Sequence, residues 1–235
     1  MYRGWILSEI KNMTHNIGVI GDTHLPFEHK GYLEHCIKVF KQNHCDIIVH
    51  IGDLVDNHSI SYHEHDPNGR SPIDEMREVD VKLEKWFKAF PELSLCLGNH
   101  DRMVDRKSRT VGLPERAFKH FRDIWNLPKG WKTAFDFEYF GVKFQHGTGF
   151  SGEMAHMKAC YSNRQSTVIG HTHSECAIGY IANEKDCIFG CNVGCGIDRH
   201  AYAFDYGRDF KKKPIIACGV VSDNGKHAEL FPMEL

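Results

Sequence analysis

Short apolar runs that end in a glycine and a polar residue recur through the first half of the chain. NIGVIGD from Asn16 and DIIVHIGD from Asp46 are rich in β-branched residues, and LSLCLGNHD from Leu93 follows the same scheme. Between these runs, residues 30–42 and 74–90 carry apolar positions at helical spacing. Strands that alternate with helices predict a largely parallel sheet.

Short strands dominate the second half of the chain. FDFEYFGVKFQHG predicts a hairpin that turns at Gly141, residues 152–165 predict a helix, and STVIGHTHS predicts a strand that runs into histidines. The later segments ECAIGYI, CIFGCNV, AYAFDY, PIIACGVV and HAELF have the spacing of an antiparallel sheet with tight turns, such as one at 223–225. The segments 62–71 and 103–112 follow motif residues and are predicted to be loops.

Length and composition favour one globular domain. The chain has 235 residues, of which 41% are hydrophobic and 26% charged, and this is enough for one α/β domain with its own core. We predict a single domain over 1–235, with 1–15 as an N-terminal extension. No apolar stretch is long enough to cross a bilayer, so we expect a cytoplasmic protein without membrane association. The sequence carries no signal for an oligomeric state.

The charge pattern argues against a general nucleic-acid-binding protein. The formal net charge is −2, so the broad positive field that drives sequence-independent binding to nucleic acid is missing. Two local basic runs remain, one at 211–213 and one at 102–109. Clustered surface charge is more often a solvated face than a binding site.

Four strands end in polar motifs that are led by glycine. These motifs are GDTH at 21–24, GDLVD at 52–56, GNHD at 98–101 and GHTH at 170–173, and a fifth strand ends at His146. Ligands collect outside the carboxyl ends of strands in open α/β sheets, so we expect these loops to meet in one crevice. Glycine before each polar residue lets the chain turn sharply there.

The polar side chains of these motifs form a metal-ligand set. Its members are carboxylates, an amide and imidazoles: Asp22, His24, Asp53, Asn99, His146, His171 and His173. Such a mixture suits divalent manganese, iron, zinc, nickel or cobalt, and seven ligands exceed what one tetrahedral ion uses. Two ions about 3.5 to 4 Å apart that share one carboxylate fit the number. Each motif alone is weak evidence, but their order and strand context agree.

The pattern DxH, GDxxD, GNH[DE], H, GHxH over residues 22–173 resembles that of the calcineurin-like metallophosphoesterase superfamily. The resemblance implies an α/β fold with a four-layer αββα sandwich, in which two mixed sheets are flanked by helices. In that family the first metal is held by residues that match Asp22, His24, Asp53 and His173. The second is held by residues that match Asp53, Asn99, His146 and His171, which makes Asp53 the bridge.

The resemblance also assigns His100 as the catalytic residue beside the metals. It would protonate the leaving oxygen or stabilise the transferring phosphoryl group, with Asp56 or Asp101 orienting its imidazole. An imidazole titrates near neutral pH, and a carboxylate on its far nitrogen fixes the tautomer. Three residues that follow the motifs are candidates for substrate contact: Asn57, His58 and Arg102.

These residues predict a hydrolase that cleaves phosphodiester or phosphomonoester bonds by attack of hydroxide held by two divalent ions, with Mn²⁺ as the expected metal. The expected substrate is a small molecule or a nucleotide, with nucleic acid as an alternative. A DNA nuclease of the Mre11 type is the main competing function. A serine/threonine protein phosphatase is disfavoured because GDLVDNHS and GNHD depart from the GDxxDRG and GNHE forms of that branch. A non-catalytic scaffold of the same fold would not need a full ligand set.

Overall fold

The computed structural model describes residues 14–62, 69–201, 203–204 and 211–233. The expected N-terminal extension and most of the loop expected at 62–71 lie outside these ranges. None of the helices in the described part combines the length and the hydropathy needed to cross a bilayer.

The described residues form strands and helices in alternation through the first half of the chain. The strands are β1 Ile17–Ile20, β2 Ile47–His50, β3 Leu93–Cys96, β4 Trp131–Ala134, β5 Asp136–Tyr139, β6 Val142–Gln145, β7 Ser166–Ile169, β8 Cys176–Ala182, β9 Cys187–Val193, β10 Ala217–Ser222 and β11 His227–Pro232. The α-helices are α1 Tyr32–Gln42, α2 Pro72–Ala89, α3 Met103–Thr110, α4 Phe121–Ile124 and α5 Ala155–Asn163, and 3-10 turns lie at His58–Ile60 and Glu115–Ala117.

Two mixed sheets make up the centre of the fold. The six-stranded sheet has the order β11-β10-β1-β2-β3-β4, in which β1 to β4 run parallel and β10 pairs antiparallel with β1. The five-stranded sheet has the order β5-β6-β7-β9-β8, in which β6, β7 and β9 run parallel. The α/β fold with two mixed sheets flanked by helices is therefore confirmed.

The apolar faces of the two sheets bury one another. Val19 and Val49 of the first sheet share a fully buried cluster with Phe144, Val168 and Val193 of the second. The opposite face of the first sheet packs on helices α1 and α2, as the buried cluster that holds Ile20, Phe40 and Trp86 shows. Because apolar burial is the main force that holds such layers together, the positions of β1 and β2 are fixed from both sides.

Helix α2 begins where its capping residues place it. The Ser71 hydroxyl accepts a hydrogen bond from the backbone N–H of Asp74, and Pro72 occupies the first turn. Val79, Leu83 and Trp86 then follow at helical spacing and are buried. The sequence predicted that this helix begins at residue 74, two residues after its observed start, because Ser71 and Pro72 act as capping residues and are not part of the apolar stripe.

Two segment predictions are wrong. Residues 103–112 were expected to form a loop, but Met103–Thr110 is helix α3. The sequence of helix α3 is too polar for an apolar stripe to be recognised. Its buried side chains are Met103 and Ser108, and packing of Met103 on the rest of the protein stabilises the helix. The segment AYAFDY was expected to be a strand, but its described residues Ala203 and Phe204 form a turn that packs on Phe27.

The late strands also do not form one antiparallel sheet. Strands β8 and β9 pair with each other in the five-stranded sheet, while β10 and β11 pair in the six-stranded sheet. Strand spacing alone could not show this division, because it depends on the parallel contact of β9 with β7. The hairpin that turns at Gly141 is confirmed by the antiparallel pairing of β5 with β6.

Candidate metal centre

The carboxyl ends of five strands meet at one edge of the two sheets. Asp22 and His24 follow β1, Asp53 follows β2, Asn99 follows β3, His146 follows β6, and His171 and His173 follow β7. The strands β1, β2 and β3 are parallel neighbours in one sheet, and β6 and β7 are parallel neighbours in the other. The structure therefore brings all seven candidate ligands together in the crevice between the sheets.

The first group of ligand atoms surrounds one point. The Nε2 atoms of His24 and His173 lie 3.2 Å apart, and His173 Nε2 lies 3.1 Å from Asp22 Oδ2. Asp53 Oδ2 lies 3.6 Å from His24 Nε2 on the remaining side. Two imidazole nitrogens and two carboxylate oxygens thus point toward each other.

The second group is centred on His146. Its Nε2 atom lies 3.1 Å from Asp53 Oδ2, 3.1 Å from Asn99 Oδ1 and 3.1 Å from His171 Nδ1. Asp53 Oδ2 belongs to both groups. A single carboxylate oxygen therefore stands between two sets of ligand atoms.

The spacing of these atoms fits divalent cations. Ligand atoms at right angles around an ion, with bonds of about 2.1 Å, are about 3.0 Å apart. The measured separations of 3.1 and 3.2 Å match that distance. In addition, Asp22 Oδ1 is buried without a hydrogen-bond partner in the described part of the chain, which is costly unless a cation lies nearby. The residues present therefore fit two divalent ions.

The electrostatics of the crevice also favour positive charge. Burial opposes an ionised Asp53 carboxylate, but the charges of His146 and His100 hold its pKa well below the usual range. Burial likewise opposes a charged His146 imidazole, yet Asp53 and Asp22 raise its pKa to about 9. Buried carboxylates that pull nearby imidazoles toward the protonated form create a negative potential, and bound cations would neutralise it.

Asp56 supports the first group through His24. Asp56 Oδ1 lies 2.5 Å from Nδ1 of His24, whose Nε2 faces the other ligand atoms. Ligating histidines commonly donate their second N–H to a carboxylate, which fixes both the tautomer and the ring orientation. Burial raises the pKa of Asp56 to about 6. His24, Asp56 and His100 also lie close enough together to hold an ion. In this cluster Asp56 contacts Nδ1 of His24, the ring nitrogen that faces away from the first group.

Hydrogen bonds from neighbouring loops hold His100 beside the candidate metal centre. Its Nδ1–H donates to the backbone carbonyl of Asp56 over 2.6 Å, whereas the Asp56 carboxylate lies 3.5 Å away. Its backbone N–H donates to Asp53 Oδ1 over 2.8 Å, and the Asn57 amide donates to its backbone carbonyl over 2.9 Å. With one proton held on Nδ1, Nε2 is the ring nitrogen at which the imidazole gains or loses its second proton.

Residues 15–185 match the family model described as calcineurin-like phosphoesterase. The chain belongs to the calcineurin-like phosphoesterase family. The family predicted from the motifs is therefore confirmed. The family uses divalent metals, and the two groups of ligand atoms in this chain are candidate sites for them. No curated protein sequence matches the chain significantly.

Solved structures of this phosphoesterase fold cover nearly the whole chain at low identity. Vacuolar protein sorting 29 from Cryptosporidium parvum is 11% identical, with a TM-score of 0.50 over 95% of this chain and 93% of that chain. An archaeal phosphodiesterase is 16% identical, with a TM-score of 0.47 over 93% and 99%. A dimetal phosphatase from Danio rerio is 8% identical, with a TM-score of 0.46 over 94% and 99%. At such identities the likeness concerns the fold alone.

Asp101 ties two motif loops together. Its carboxylate is buried and accepts hydrogen bonds from the backbone N–H groups of Val55 and Gly98, over 3.2 and 2.9 Å. Burial and the nearby charge of Asp53 raise the pKa of Asp101 to about 7. These contacts show that Asp101 holds the loop at Val55 against the loop at Gly98. Its role in orienting His100 stays a prediction.

The three candidates for substrate contact occupy different environments. Asn57 donates to the carbonyl of His100, as described above, and His58 is buried with its backbone N–H bonded to Glu75 over 2.7 Å. Arg102 donates from Nε to the Gly98 carbonyl over 3.2 Å, and its guanidinium lies over the ring of Phe135. Contact of these side chains with substrate stays a prediction.

Glycine precedes the ligands because a side chain would collide with them. A Cβ atom at Gly98 would lie 2.1 Å from Asp53 Oδ1, and one at Gly170 would lie 2.2 Å from Asp22 Oδ1. From the sequence, these glycines were expected to serve sharp turns. At these two positions the reason is instead the close approach of the Asp53 or Asp22 carboxylate to the backbone.

Three of the candidate ligands have left-handed backbone conformations: His24 with φ 47°, Asp53 with φ 48° and His171 with φ 69°. Such conformations cost about 1 to 3 kcal/mol each when the residue is not glycine. They persist where the surrounding structure holds them, which is typical of functional sites.

Glu75 and Phe204 belong to the site but were missed from the sequence. The buried Glu75 carboxylate accepts backbone N–H bonds from His58 and Ser59, over 2.7 and 2.9 Å. An acidic residue in the first turn of α2 looks like an ordinary partner of the helix dipole, so the sequence held no distinctive signal. The Phe204 ring packs edge-on against His24 at 5.7 Å, and it follows no motif.

Proposed function

We propose that the protein hydrolyses phosphoesters, as a phosphodiesterase or a phosphomonoesterase, with two divalent metal ions bound in the crevice. One observation carries the proposal. Asp53 Oδ2 lies 3.1 Å from His146 Nε2 and 3.6 Å from His24 Nε2, so it faces both ligand groups at once. A carboxylate in that position is suited to bridge two ions.

The chain supplies the ligands of two sites that share Asp53. The first would be formed by Asp22, His24, Asp53 and His173, and the second by Asp53, Asn99, His146 and His171. Manganese is the proposed metal, with iron, zinc, nickel and cobalt as the alternatives that the same donors accept. Two such ions, when bound, supply an activated water at neutral pH and neutralise charge on the phosphate oxygens.

His100 is the proposed general acid. In the hydrolysis the water oxygen forms a bond to phosphorus and the ester P–O bond breaks, and the leaving oxygen needs a proton. The Asp56 carbonyl accepts the Nδ1–H of His100. Burial opposes a charged His100 imidazole, but the charges of Asp53 and Asp56 raise its pKa. The imidazolium form would carry its second proton on Nε2 and deliver it to the leaving oxygen. The products are an alcohol and a phosphomonoester, or inorganic phosphate when the substrate is a monoester.

The test is reconstitution of metal-depleted protein with Mn²⁺, Fe²⁺, Zn²⁺, Ni²⁺ or Co²⁺. Each form would be assayed on bis-p-nitrophenyl phosphate, p-nitrophenyl phosphate and a phosphoserine peptide, with metal content measured in parallel. We expect two ions per chain and turnover of at least one nitrophenyl ester. Binding of two ions without hydrolysis of any phosphoester would favour a scaffold, and hydrolysis of the peptide alone would favour a protein phosphatase.

Asp53→Asn is the variant that probes the bridge. Asparagine tolerates the left-handed backbone of this position, so the fold should persist while one negative charge is lost. We expect loss of bound metal and of activity together. Asp223→Asn is the matched control, because Asp223 has φ 50° and lies on a surface turn. An Asp53→Asn protein that keeps two ions and full activity would overturn the bridging role.

A further inference from the structure

Helix α3 begins beside the candidate metal centre and carries concentrated positive charge. Residues 102–109 include Arg102, Arg106, Lys107 and Arg109 against the single acid Asp105, in a chain whose net charge is −2. Arg102, Arg106 and Arg109 stand at positions i, i+4 and i+7, which places them along one side of the helix. We call these three residues the arginine face.

The near end of the arginine face is fixed to the backbone of the third motif. Arg102 Nε donates to the carbonyl of Gly98 over 3.2 Å, and Arg106 Nη1 donates to the carbonyl of Asn99 over 3.3 Å. Asn99 supplies Oδ1 to the second ligand group. Two of the three arginines therefore lie directly next to the centre, and Arg109 follows Arg106 by three residues along α3.

Exposed aromatic rings accompany these cations. The Cζ atom of Arg102 lies 5.1 Å from the ring centre of Phe135, and that of Arg106 lies 4.9 Å from the ring centre of Tyr62. Lys107 Nζ lies 3.9 Å from the same Tyr62 ring. Phe135 is 63% exposed and Tyr62 is 51% exposed, so both rings also present surface to solvent. Surfaces that bind single-stranded nucleic acid combine positive charge along the backbone with aromatic rings on which the bases stack.

We propose that the arginine face binds the phosphate backbone of a single-stranded nucleic acid whose scissile phosphodiester lies in the metal centre, with Tyr62 and Phe135 stacking on its bases. The inference rests on the proposed phosphodiesterase function and names its substrate class. Hydrolysis would add water across one P–O bond of the strand, giving one end with a phosphomonoester and one with a hydroxyl group.

The dimensions of the arginine face suit a short stretch of one strand. At 1.5 Å of rise per residue, Arg102 to Arg109 spans about 10 Å. Nucleotides of a stacked strand repeat about every 3.4 Å, so the face extends along about three of them. A duplex would offer no exposed bases to the rings, and its charge density calls for a broader positive field than this chain has.

The other basic run of the chain provides the matched control. Lys212 Nζ lies 2.7 Å from Glu153 Oε1, so its charge is already paired on the surface. Lys211→Gln with Lys212→Gln removes two positive charges, as does Arg106→Gln with Arg109→Gln. Any effect of net charge alone would appear equally in both double variants.

The binding experiment measures the fluorescence anisotropy of a labelled ten-nucleotide single strand with the metal-free protein over a range of salt concentrations. The arginine double variant should bind the strand at least tenfold more weakly than the wild type. The slope of the logarithm of the binding constant against the logarithm of the salt concentration should also become shallower, by about 0.7 for each phosphate that the protein no longer neutralises. The lysine double variant should bind as the wild type does. Arg106→Lys with Arg109→Lys keeps the charge and should restore most of the slope, which excludes misfolding as the cause.

The activity experiment compares two phosphodiesters with the manganese-loaded protein. The ratio of kcat/KM for the oligonucleotide to that for bis-p-nitrophenyl phosphate should fall at least tenfold in the arginine double variant. Equal losses in both double variants, or tighter binding of duplex or inorganic polyphosphate than of the single strand, would overturn the inference. Hydrolysis of the small diester without selective binding of the strand would overturn this inference alone, whereas strand binding without any hydrolysis would overturn the proposed function.

Discussion

The backbone carbonyl of Asp56 accepts the Nδ1–H of His100 over 2.6 Å. This contact fixes the orientation of the ring and holds one proton on Nδ1, so the imidazolium form carries its second proton on Nε2. A main-chain acceptor cannot be removed by substitution of the Asp56 side chain, so the orientation of His100 depends on the course of the loop at 56–59. The loop is in turn held by Glu75 of helix α2.

His100→Asn should lower kcat by about 100- to 10,000-fold, the usual contribution of a positioned general acid. The loss should be largest for alkyl phosphoesters and smallest for p-nitrophenyl esters, because p-nitrophenolate leaves with little help from a proton. Both ions should remain bound, since His100 lies outside the two ligand groups. His120→Asn, on an exposed histidine, is the control. A loss that is equal for both leaving groups would contradict proton donation by His100.

The ligand set could be predicted from the sequence because its geometry follows from topology. Parallel neighbours such as β1 and β2 must present Asp22 and Asp53 at the same edge of the sheet. Contacts that depend on side-chain direction could not be predicted in this way. The Asp56 carboxylate contacts His24, whereas the backbone carbonyl of Asp56 contacts His100. The sequence alone could not show which of the two histidines the carboxylate contacts. Helix α3 was missed because tertiary packing of Met103 decides its conformation.

Glu75→Gln should lower both stability and kcat. The Glu75 carboxylate accepts hydrogen bonds from two backbone N–H groups, and in glutamine one of its two oxygens is replaced by an NH₂ group that cannot accept. Loss of a hydrogen bond to a charged group costs about 1.5 to 3 kcal/mol. Urea denaturation would measure the stability, and steady-state kinetics would measure kcat. Glu78→Gln on the same helix is the control, because its exposed ion pair with Arg70 contributes about 0 to 1 kcal/mol. Equal effects of the two substitutions would contradict the role of Glu75 in holding the loop.

Gly98→Ala should remove metal from the centre. The new Cβ would lie 2.1 Å from Asp53 Oδ1, so the Asp53 carboxylate must move and its distances to both groups of candidate ligand atoms must change. Metal content per chain, measured after gel filtration, should fall along with activity. Gly219→Ala is the control, since its Cβ meets only a Val193 methyl group below 3.0 Å. If Gly98→Ala kept two ions, the close approach would not be what selects glycine at this position.

Metal binding should raise the thermal stability of the metal-free protein. Asp22 and Asp53 are buried carboxylates, and the left-handed backbones of His24 and Asp53 store strain that bound ions would help to offset. At 100 times the dissociation constant, a ligand contributes about 2.7 kcal/mol. For a chain of this length that corresponds to a rise in Tm of about 5 to 10 °C. Differential scanning fluorimetry with added Mn²⁺ should show the rise, and EDTA should reverse it. The Asp53→Asn protein should show little change, and an equal rise in that variant would place the stabilising ion outside the two ligand groups.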